Sequence, residues 1–298
     1  MPNNKEPDIV ASGYDAVYAA MPKSPTLRRI WREHAAGTDY PEEFEHISFI
    51  TLQELRRMAA ELRLSPNSSL VDLGCGMGGP ALWVASETAC RLIGVDFSPV
   101  AVAQATARAA ELGLSDRARF IVGTFADTGL ASGSADGVMS EDALQYAPDK
   151  LAALREAARI LRPSGRFVFT AFEVDPERAA GLPVLGADPE NDYVPLLEQA
   201  GFEVNAYDEM PGWPEPMATT YRAVMAARPA LIEEMGDRAV NALSAELSLT
   251  LERQPYRRRV MAVATLRLPR LQSAATGTGE EAFRRGLNEQ RKQAGTED

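Results

Sequence analysis

The sequence predicts an α/β protein built around a mostly parallel sheet, and three observations carry that reading. Ser69-Leu-Val-Asp-Leu-Gly-Cys-Gly-Met-Gly-Gly79 reads as a buried strand and a glycine turn, with Pro80 and the run to Ser86 opening a helix. Beyond it, strand and helix patterns alternate as far as Phe172, the signature of parallel βαβ units with right-handed crossovers. The second strand of that series ends in a carboxylate, Asp96, about twenty residues past the glycine turn.

Taken in order, residues 1–12 are polar and proline-bearing and are expected to be loose. Helical patterns rich in aromatic residues follow over Tyr14–Met21 and Thr26–His34, and Asp39–Thr51 mixes aromatic and polar side chains in a turn-like segment. Thr51 is positioned to cap a helix over Leu52–Leu64, where Leu52, Leu55, Met58, Ala59 and Leu62 share one face. Ser65-Pro-Asn-Ser breaks that helix before the first strand. After the glycine turn the strands are Arg91–Phe97, Ala118–Phe125, Ala135–Asp142 and Arg166–Phe172. Ser98 and Pro99 start the alanine-rich helix Val100–Leu112, and Lys150–Leu161 is a helix ended by Arg-Pro-Ser-Gly165. Asp192–Ala200 is a helix with Gly201 as its cap, and Phe202–Glu209 is an alternating strand. Pro211-Gly-Trp-Pro-Glu-Pro216 then interrupts, residues 217–253 read as helical, and Val260–Leu268 is a last strand. The tail from Gln272 is small, polar and charged, and is expected to be disordered with a short helix around Glu281–Lys292.

The gross composition narrows the function classes. The chain has 298 residues, 45% hydrophobic and 24% charged, ordinary for one α/β domain with elaborations. A net charge of −11 argues against non-specific attraction to nucleic acid. The one tight basic cluster, Arg257-Arg258-Arg259, reads as surface arginines flanking a strand. Two cysteines, Cys75 and Cys90, form no disulfide framework and suit a reducing cytoplasm. No Cys/His spacing suggests zinc, and neither a signal core nor a bilayer-spanning apolar run is present. The expected protein is cytoplasmic, a monomer or homodimer, with a small-molecule partner and no membrane, nucleic-acid or metal partner.

The glycine turn is a ligand cradle. Gly74, Gly76, Gly78 and Gly79 allow tight turning and close backbone approach, and the helix that follows offers free N–H groups. The literal pattern Gly74, Gly76, Gly79 also fits dinucleotide-binding proteins. Asp72 tilts the choice, because a carboxylate two residues before the first glycine suits a cationic amine rather than a pyrophosphate. That favours S-adenosylmethionine over NAD.

Four landmarks in order then resemble the class I S-adenosylmethionine-dependent methyltransferases: Val71-Asp-Leu-Gly-Cys-Gly-Met-Gly78, Gly94-Val-Asp96, Val122-Gly-Thr-Phe125, and Met139–Asp149 with Ser140-Glu-Asp-Ala-Leu-Gln-Tyr146 at its centre. Leu161-Arg-Pro-Ser-Gly165 is a softer fifth. The resemblance spans Thr51 to Leu268 and implies a Rossmann-like sheet of seven strands with the last antiparallel, matching the seven strands read above. It implies an N-terminal helical lid over residues 1–50, a methyltransferase domain over 51–270 with a helical substrate-capping insert at 211–257, and a tail at 271–298. The implied cofactor set is Asp72, Gly74, Cys75, Gly76, Gly78, Asp96, Phe97, Thr124, Phe125 and Ser140, with Asp96 on the ribose hydroxyls and Phe97 and Phe125 flanking the adenine. Thr124 departs from the aspartate that many relatives carry there, leaving its hydroxyl or Asp127 to substitute.

Methyl transfer from a sulfonium is an in-line displacement, in which orientation contributes up to roughly 7–11 kcal/mol. A base is needed only where the acceptor loses a proton. Many small-molecule relatives carry a histidine after the fourth strand, whereas this chain has Gln145 and Tyr146 there. The candidate catalytic residues are therefore His46, Asp142 and Tyr146, and the candidate acceptor-binding residues Tyr14, Tyr18, Gln145, Trp213, Met217 and Tyr221. The expected activity is methylation of a specialised metabolite, most readily at oxygen. Carbon or nitrogen acceptors and a non-methylating cyclisation are the alternatives; a non-catalytic binding protein and an NAD-dependent oxidoreductase are the remaining classes.

Overall fold

Alternating burial along each strand builds the centre of the molecule. In β1 (Ser69–Leu73), Leu70 packs into one hydrophobic cluster and Val71 into another on the opposite face. β5 (Leu161–Val174) and β7 (Arg257–Leu266) repeat the pattern, with Val168, Met261 and Val263 on one side and Phe167, Phe169, Ala262 and Ala264 on the other. A sheet apolar on both faces must be covered on both, and helices do so here. The computed structural model describes residues 6–182 and 189–268.

The remaining strands are β2 (Arg91–Asp96), β3 (Ala118–Val122), β4 (Ala135–Glu141) and β6 (Phe202–Glu209). The order in the sheet is β3-β2-β1-β4-β5-β7-β6. The ladders from β3 to β5 are parallel, and β7 runs antiparallel to both β5 and β6. This is the expected seven-stranded, Rossmann-like sheet with its last strand antiparallel. The chain reverses direction of winding between β1 and β4, so a crevice opens at their C-terminal ends, where open α/β sheets bind ligands.

Two helices open the chain, α1 (Glu6–Ala20) and α2 (Pro25–Trp31). α1 starts inside the stretch expected to be loose, so that expectation holds for none of residues 6–12. α3 (Leu52–Leu62) carries the predicted Thr51 cap in full form: Thr51 Oγ1 accepts from Glu54 N, and Thr51 N donates to Glu54 Oε2 at 2.9 Å. α4 (Gly79–Thr88) follows the glycine turn, and α5 (Pro99–Glu111) presents a stripe of Ala101, Ala105 and Ala109 that lets its backbone sit close to the sheet. α6 (Lys150–Ile160) and α7 (Val194–Gln199) cover the other face. Arg162-Pro-Ser-Gly165 does not form a separate turn; β5 begins at Leu161, directly after α6, and a register irregularity against β4 absorbs these residues.

The region behind Pro211 folds as α8 (Pro214–Ala226), α9 (Arg228–Met235) and α10 (Asp237–Arg253). With α1 and α2 they form a third core containing Val17, Leu27, Ile30, Trp31, Met217, Val224, Leu243 and Leu247. Every described strand and helix belongs to one compact unit, Met1–Arg267. The tail expected at 271–298, with its helix at Glu281–Lys292, lies outside the described residues. No helix among the described residues is long and apolar enough to cross a membrane.

The arginine triplet is not a surface feature throughout. Arg259 is fully buried at 0% exposure, because β7 lies between β5 and β6 rather than at the edge. Its Nε lies 2.8 Å from Asp142 Oδ1 and its Nη1 2.9 Å from Glu54 Oε1. Burial alone would lower its pKa, and the two carboxylates outweigh that and raise it. Arg258 pairs with Glu173, and Arg257 lies over the Phe172 ring at 4.3 Å. Arg259→Met leaves buried Asp142 and half-buried Glu54 without their cation and is expected to lower the unfolding free energy by about 3–5 kcal/mol. The urea midpoint reads this directly, and a loss below about 1 kcal/mol would mean that both carboxylates find other partners.

Candidate active site

The glycine turn is held by the neighbouring strand before it meets any ligand. Gly74 N and Cys75 N both donate to Val95 O, at 2.8 and 3.1 Å. Gly74 has a left-handed φ of 77°, and a Cβ there would stand 2.7 Å from Ala143 Cβ and 2.9 Å from Phe125 Cζ. Glycine is therefore required twice over, by backbone angle and by space. Gly78, also left-handed, starts α4.

Asp96 closes the cradle. Its Oδ2 accepts from Gly76 N at 2.8 Å and its Oδ1 from Ser98 N at 2.9 Å. Burial raises its pKa, and those two N–H bonds hold the rise back. Each carboxylate oxygen keeps a lone pair for a ribose hydroxyl. Phe97, next in the chain, is 40% exposed beside this site and meets Tyr14 edge-on at 6.3 Å.

Asp72 is the clearest sign of a cationic ligand. The side chain is buried, and Oδ1 has no hydrogen-bond partner among the described residues. Burial, reinforced by Asp96, pushes its pKa up to about 8. A carboxyl so placed lacks a counter-charge, and the ammonium of S-adenosylmethionine supplies one. The donor set thus fits that cofactor: an acidic residue for the amine, a glycine turn for close approach, and Asp96 for the ribose.

Other expected cofactor residues contribute differently. Cys75 is buried behind the turn, and burial drives its thiol pKa up. Ser140 is completely buried and donates to Leu73 O at 2.7 Å. Its side chain therefore clasps β4 to β1 and has no surface for the cofactor, which corrects its expected role. Thr124 Oγ1 accepts from Asp127 N at 3.0 Å, so the two candidate adenine partners form one small turn. Phe125 packs against the Gly74 backbone.

The catalytic candidates are dispersed. Asp142 has a left-handed φ of 47°, and both carboxylate oxygens are engaged, Oδ1 by Arg259 and Oδ2 by Phe49 N at 3.1 Å. Held from both sides, this carboxylate ties the segment after β4 to β7 and to the stretch before α3. His46 lies in the segment between α2 and α3 and lines a separate cavity of about 350 Å3 with Trp31 and Tyr40. Its Nδ1 accepts from Ser48 N at 3.2 Å, and burial lowers its pKa to about 3. An imidazole whose pKa burial holds that low is too weak a base to serve as a general base near neutrality. Gln145 is likewise occupied: its amide donates to Asp142 O, and its oxygen accepts from Phe172 N at 3.4 Å.

Tyr146 meets Tyr14 through Glu246, a residue that is not among the sequence-predicted candidates. Tyr146 Oη donates to Glu246 Oε1 at 3.0 Å, and Tyr14 Oη donates to the same oxygen at 2.8 Å. Tyr14 stacks on Tyr18 at 6.1 Å and meets Tyr146 edge-on at 6.0 Å. Tyr18 in turn stands over the glycine turn, its Oη 3.3 Å from where a Cβ on Gly76 would lie. Burial raises the pKa of Glu246, while the tyrosine bonds and the Arg257 charge restrain it. The signal for Glu246 was present: it falls three residues after Leu243, on the apolar face of α10, where a charge needs a reason. Trp213, Met217 and Tyr221 are buried in the roof core, with Trp213 edge-on to Phe172 at 5.1 Å and Tyr221 edge-on to Phe49 at 5.5 Å.

Comparison with known proteins bears on the fold and the cofactor. The family profile described as "Methyltransferase domain" matches residues 71–169, the stretch from β1 through the post-β4 segment into β5. A 27-O-demethylrifamycin SV methyltransferase of Amycolatopsis mediterranei is 27% identical over 72% of this chain and 80% of its own. A sarcosine/dimethylglycine N-methyltransferase of Halorhodospira halochloris is 30% identical over 55% of this chain and 56% of its own. Among solved structures, the [4+2]-cyclase SpnF matches with a TM-score of 0.70 at 23% identity, covering 87% of this chain and 96% of that one. Residues 71–169 thus carry a methyltransferase domain, and the similarities support a class I S-adenosylmethionine-dependent methyltransferase with S-adenosylmethionine as its cofactor.

With its pKa near 8 in the free protein, Asp72 is protonated at pH 7 and must ionise to face an ammonium. Binding of S-adenosylhomocysteine at pH 7 is expected to release a proton, seen as a calorimetric heat that varies with the ionisation enthalpy of the buffer. Asp72→Asn should abolish that variation. Identical heats in all buffers for the unaltered protein would exclude the pairing.

Proposed function

We propose that the protein methylates a medium-sized, partly apolar specialised metabolite, most readily at a hydroxyl oxygen. The observation that carries this reading is Glu246, a half-buried carboxylate joined to Tyr14 and Tyr146 at the mouth of the cofactor site. The names of similar enzymes, which include a 27-O-demethylrifamycin SV methyltransferase and a (+)-O-methylkolavelool synthase, support the substrate class. The cofactor supplies an activated methyl group on a charged sulfur. Asp72 and Asp96 hold its two ends, and the aromatic roof excludes water from the acceptor.

Glu246 then takes the hydroxyl proton as the acceptor oxygen attacks. Its pKa, raised by burial, brings it nearer to the working pH than an exposed glutamate and makes it a better base there. Tyr14 and Tyr146 set that pKa and aim the carboxylate. Asp142 and Gln145 act as positioning residues that fix the post-β4 segment, and His46 braces the lid.

Glu246→Gln is expected to lower kcat by about 10²–10⁴-fold with S-adenosylhomocysteine affinity unchanged. Tyr14→Phe removes a hydrogen bond that lowers the Glu246 pKa, so the acid limb of the kcat profile should move to higher pH. The acceptor class is read by incubating the enzyme with phenols, carboxylates and amines and following S-adenosylhomocysteine release. Turnover of amines alone, with none of hydroxyl compounds, would overturn the oxygen assignment. An isomerised product without S-adenosylhomocysteine would instead establish a cyclisation, a reaction the SpnF likeness makes worth testing.

A further inference from the structure

A second cavity, of about 610 Å3, opens at the end of the sheet opposite the cofactor site. It is bounded by the end of α3, the residue before β1 and the start of β5, and Arg63, Arg162 and Arg166 line it together with Ser68, Asp136 and Ser164. The five residues of β1, at about 3.3 Å each, put it on the order of 16 Å from the glycine turn. Nothing in the methyl-transfer reading uses it.

Its charge is incompletely answered. Arg166 is only 8% exposed, and its Nε and Nη1 are buried without a hydrogen-bond partner among the described residues. Only its Nη2 has an ion-pair contact, with Glu61 Oε2 at 3.3 Å. Arg162 is neutralised by Asp136 Oδ1 at 2.5 Å. Arg63 caps α3 in a left-handed conformation, φ 52°, and has no ion-pair partner among the described residues. Burial, and next the repulsion from Arg63, depress the Arg166 pKa. Two mutually repelling guanidinium groups, one with buried free donors, thus share one concave site in a chain of net charge −11.

Buried donors without acceptors are costly, and water answers the hydrogen bonds without answering the charge. Guanidinium forks match the oxygens of phosphates and carboxylates. We propose that this cavity is a binding site for a small ligand bearing a multiply charged oxyanion, held between Arg63 and Arg166 with Ser68 and Ser164 as neutral donors. The occupant is neither cofactor nor methyl acceptor, since it enters from the opposite edge of the sheet.

The test is calorimetric titration of the full chain with pyrophosphate and, separately, with citrate. S-adenosylhomocysteine is kept saturating to fill the cofactor site, and chloride of matched ionic strength gives the baseline. Saturable binding to one site is expected, tighter for pyrophosphate if the natural ligand is a phosphate ester and for citrate if it is a polycarboxylate. Arg166→Gln should weaken it about tenfold, the loss of one charge-assisted contact. Arg63→Asn, which tolerates the left-handed backbone, should do the same and decides the matter if the buried variant fails to fold. S-adenosylhomocysteine affinity should stay unchanged in Arg63→Asn. Absence of heat above the chloride baseline, or unchanged affinity in Arg63→Asn, would overturn the proposal.

Discussion

A buried cation binds the working parts of this molecule together. Arg259 is wholly removed from water, which only close and well-directed carboxylates can offset. Asp142 and Glu54 provide them, and each brings a further element. Glu54 also completes the capping box of α3. Asp142 also accepts from Phe49 N of the segment leading into that helix, and its own N–H donates to Thr170 O and Oγ1, at 3.0 and 3.1 Å. One guanidinium therefore fixes β7, α3, the lid connection and the end of β4 in a single arrangement. It also supports an uncommon backbone: a left-handed aspartate costs on the order of 1 kcal/mol, tolerated because four contacts over-determine it.

That arrangement sets the post-β4 segment at the mouth of the cofactor crevice. Glu141, one residue earlier, is pushed to a much higher pKa first by burial and then by the Asp142 charge. The carboxylates at the mouth thereby differ in role: Asp142 is paired with Arg259, burial pushes the Glu141 pKa up, and Asp72 has an oxygen without a hydrogen-bond partner among the described residues. Glu246 comes from the opposite side, on α10, and reaches the same mouth through two tyrosines. α1 is fixed to the Rossmann-like body by further polar ties, Ser98 Oγ to Asp15 and Gln104 Nε2 to Tyr18 O. The aromatic surface over the cofactor is thus held on both flanks, and the rings Tyr14, Tyr18, Phe97 and Tyr146 have a defined geometry.

The two ends of the sheet show opposite electrostatics. At the C-terminal ends of the parallel strands, Asp72, Asp96, Glu141 and Asp142 gather around a site for a cationic cofactor. At the other end Arg63, Arg162 and Arg166 gather around a cavity with buried free donors. The parallel strands all run the same way, so the segments entering them gather at one edge of the sheet and the segments leaving them at the other.

The sequence by itself determined what local chemistry determines. The helix caps at Thr51 and Ser98, the alternation along the strands and the left-handed glycines after β1 depend on neighbours within a few residues, and each is found where the pattern put it. So is Asp96, since a βαβ unit of ordinary length returns the chain beside its start. The tertiary structure alone decided which distant groups meet. Tyr14 and Glu246 lie 232 residues apart and Asp142 and Arg259 117 apart, and no periodicity links them. The insertion of β7 between β5 and β6 pairs Arg259 with Phe172, which turns an arginine that reads as surface into the buried counter-ion of Asp142. The folding of α10 against α1 turns a glutamate on an apolar stripe into the group that receives both tyrosines. Long-range pairings follow strand order and helix packing, and these are settled by burial summed over the whole chain rather than by any one segment.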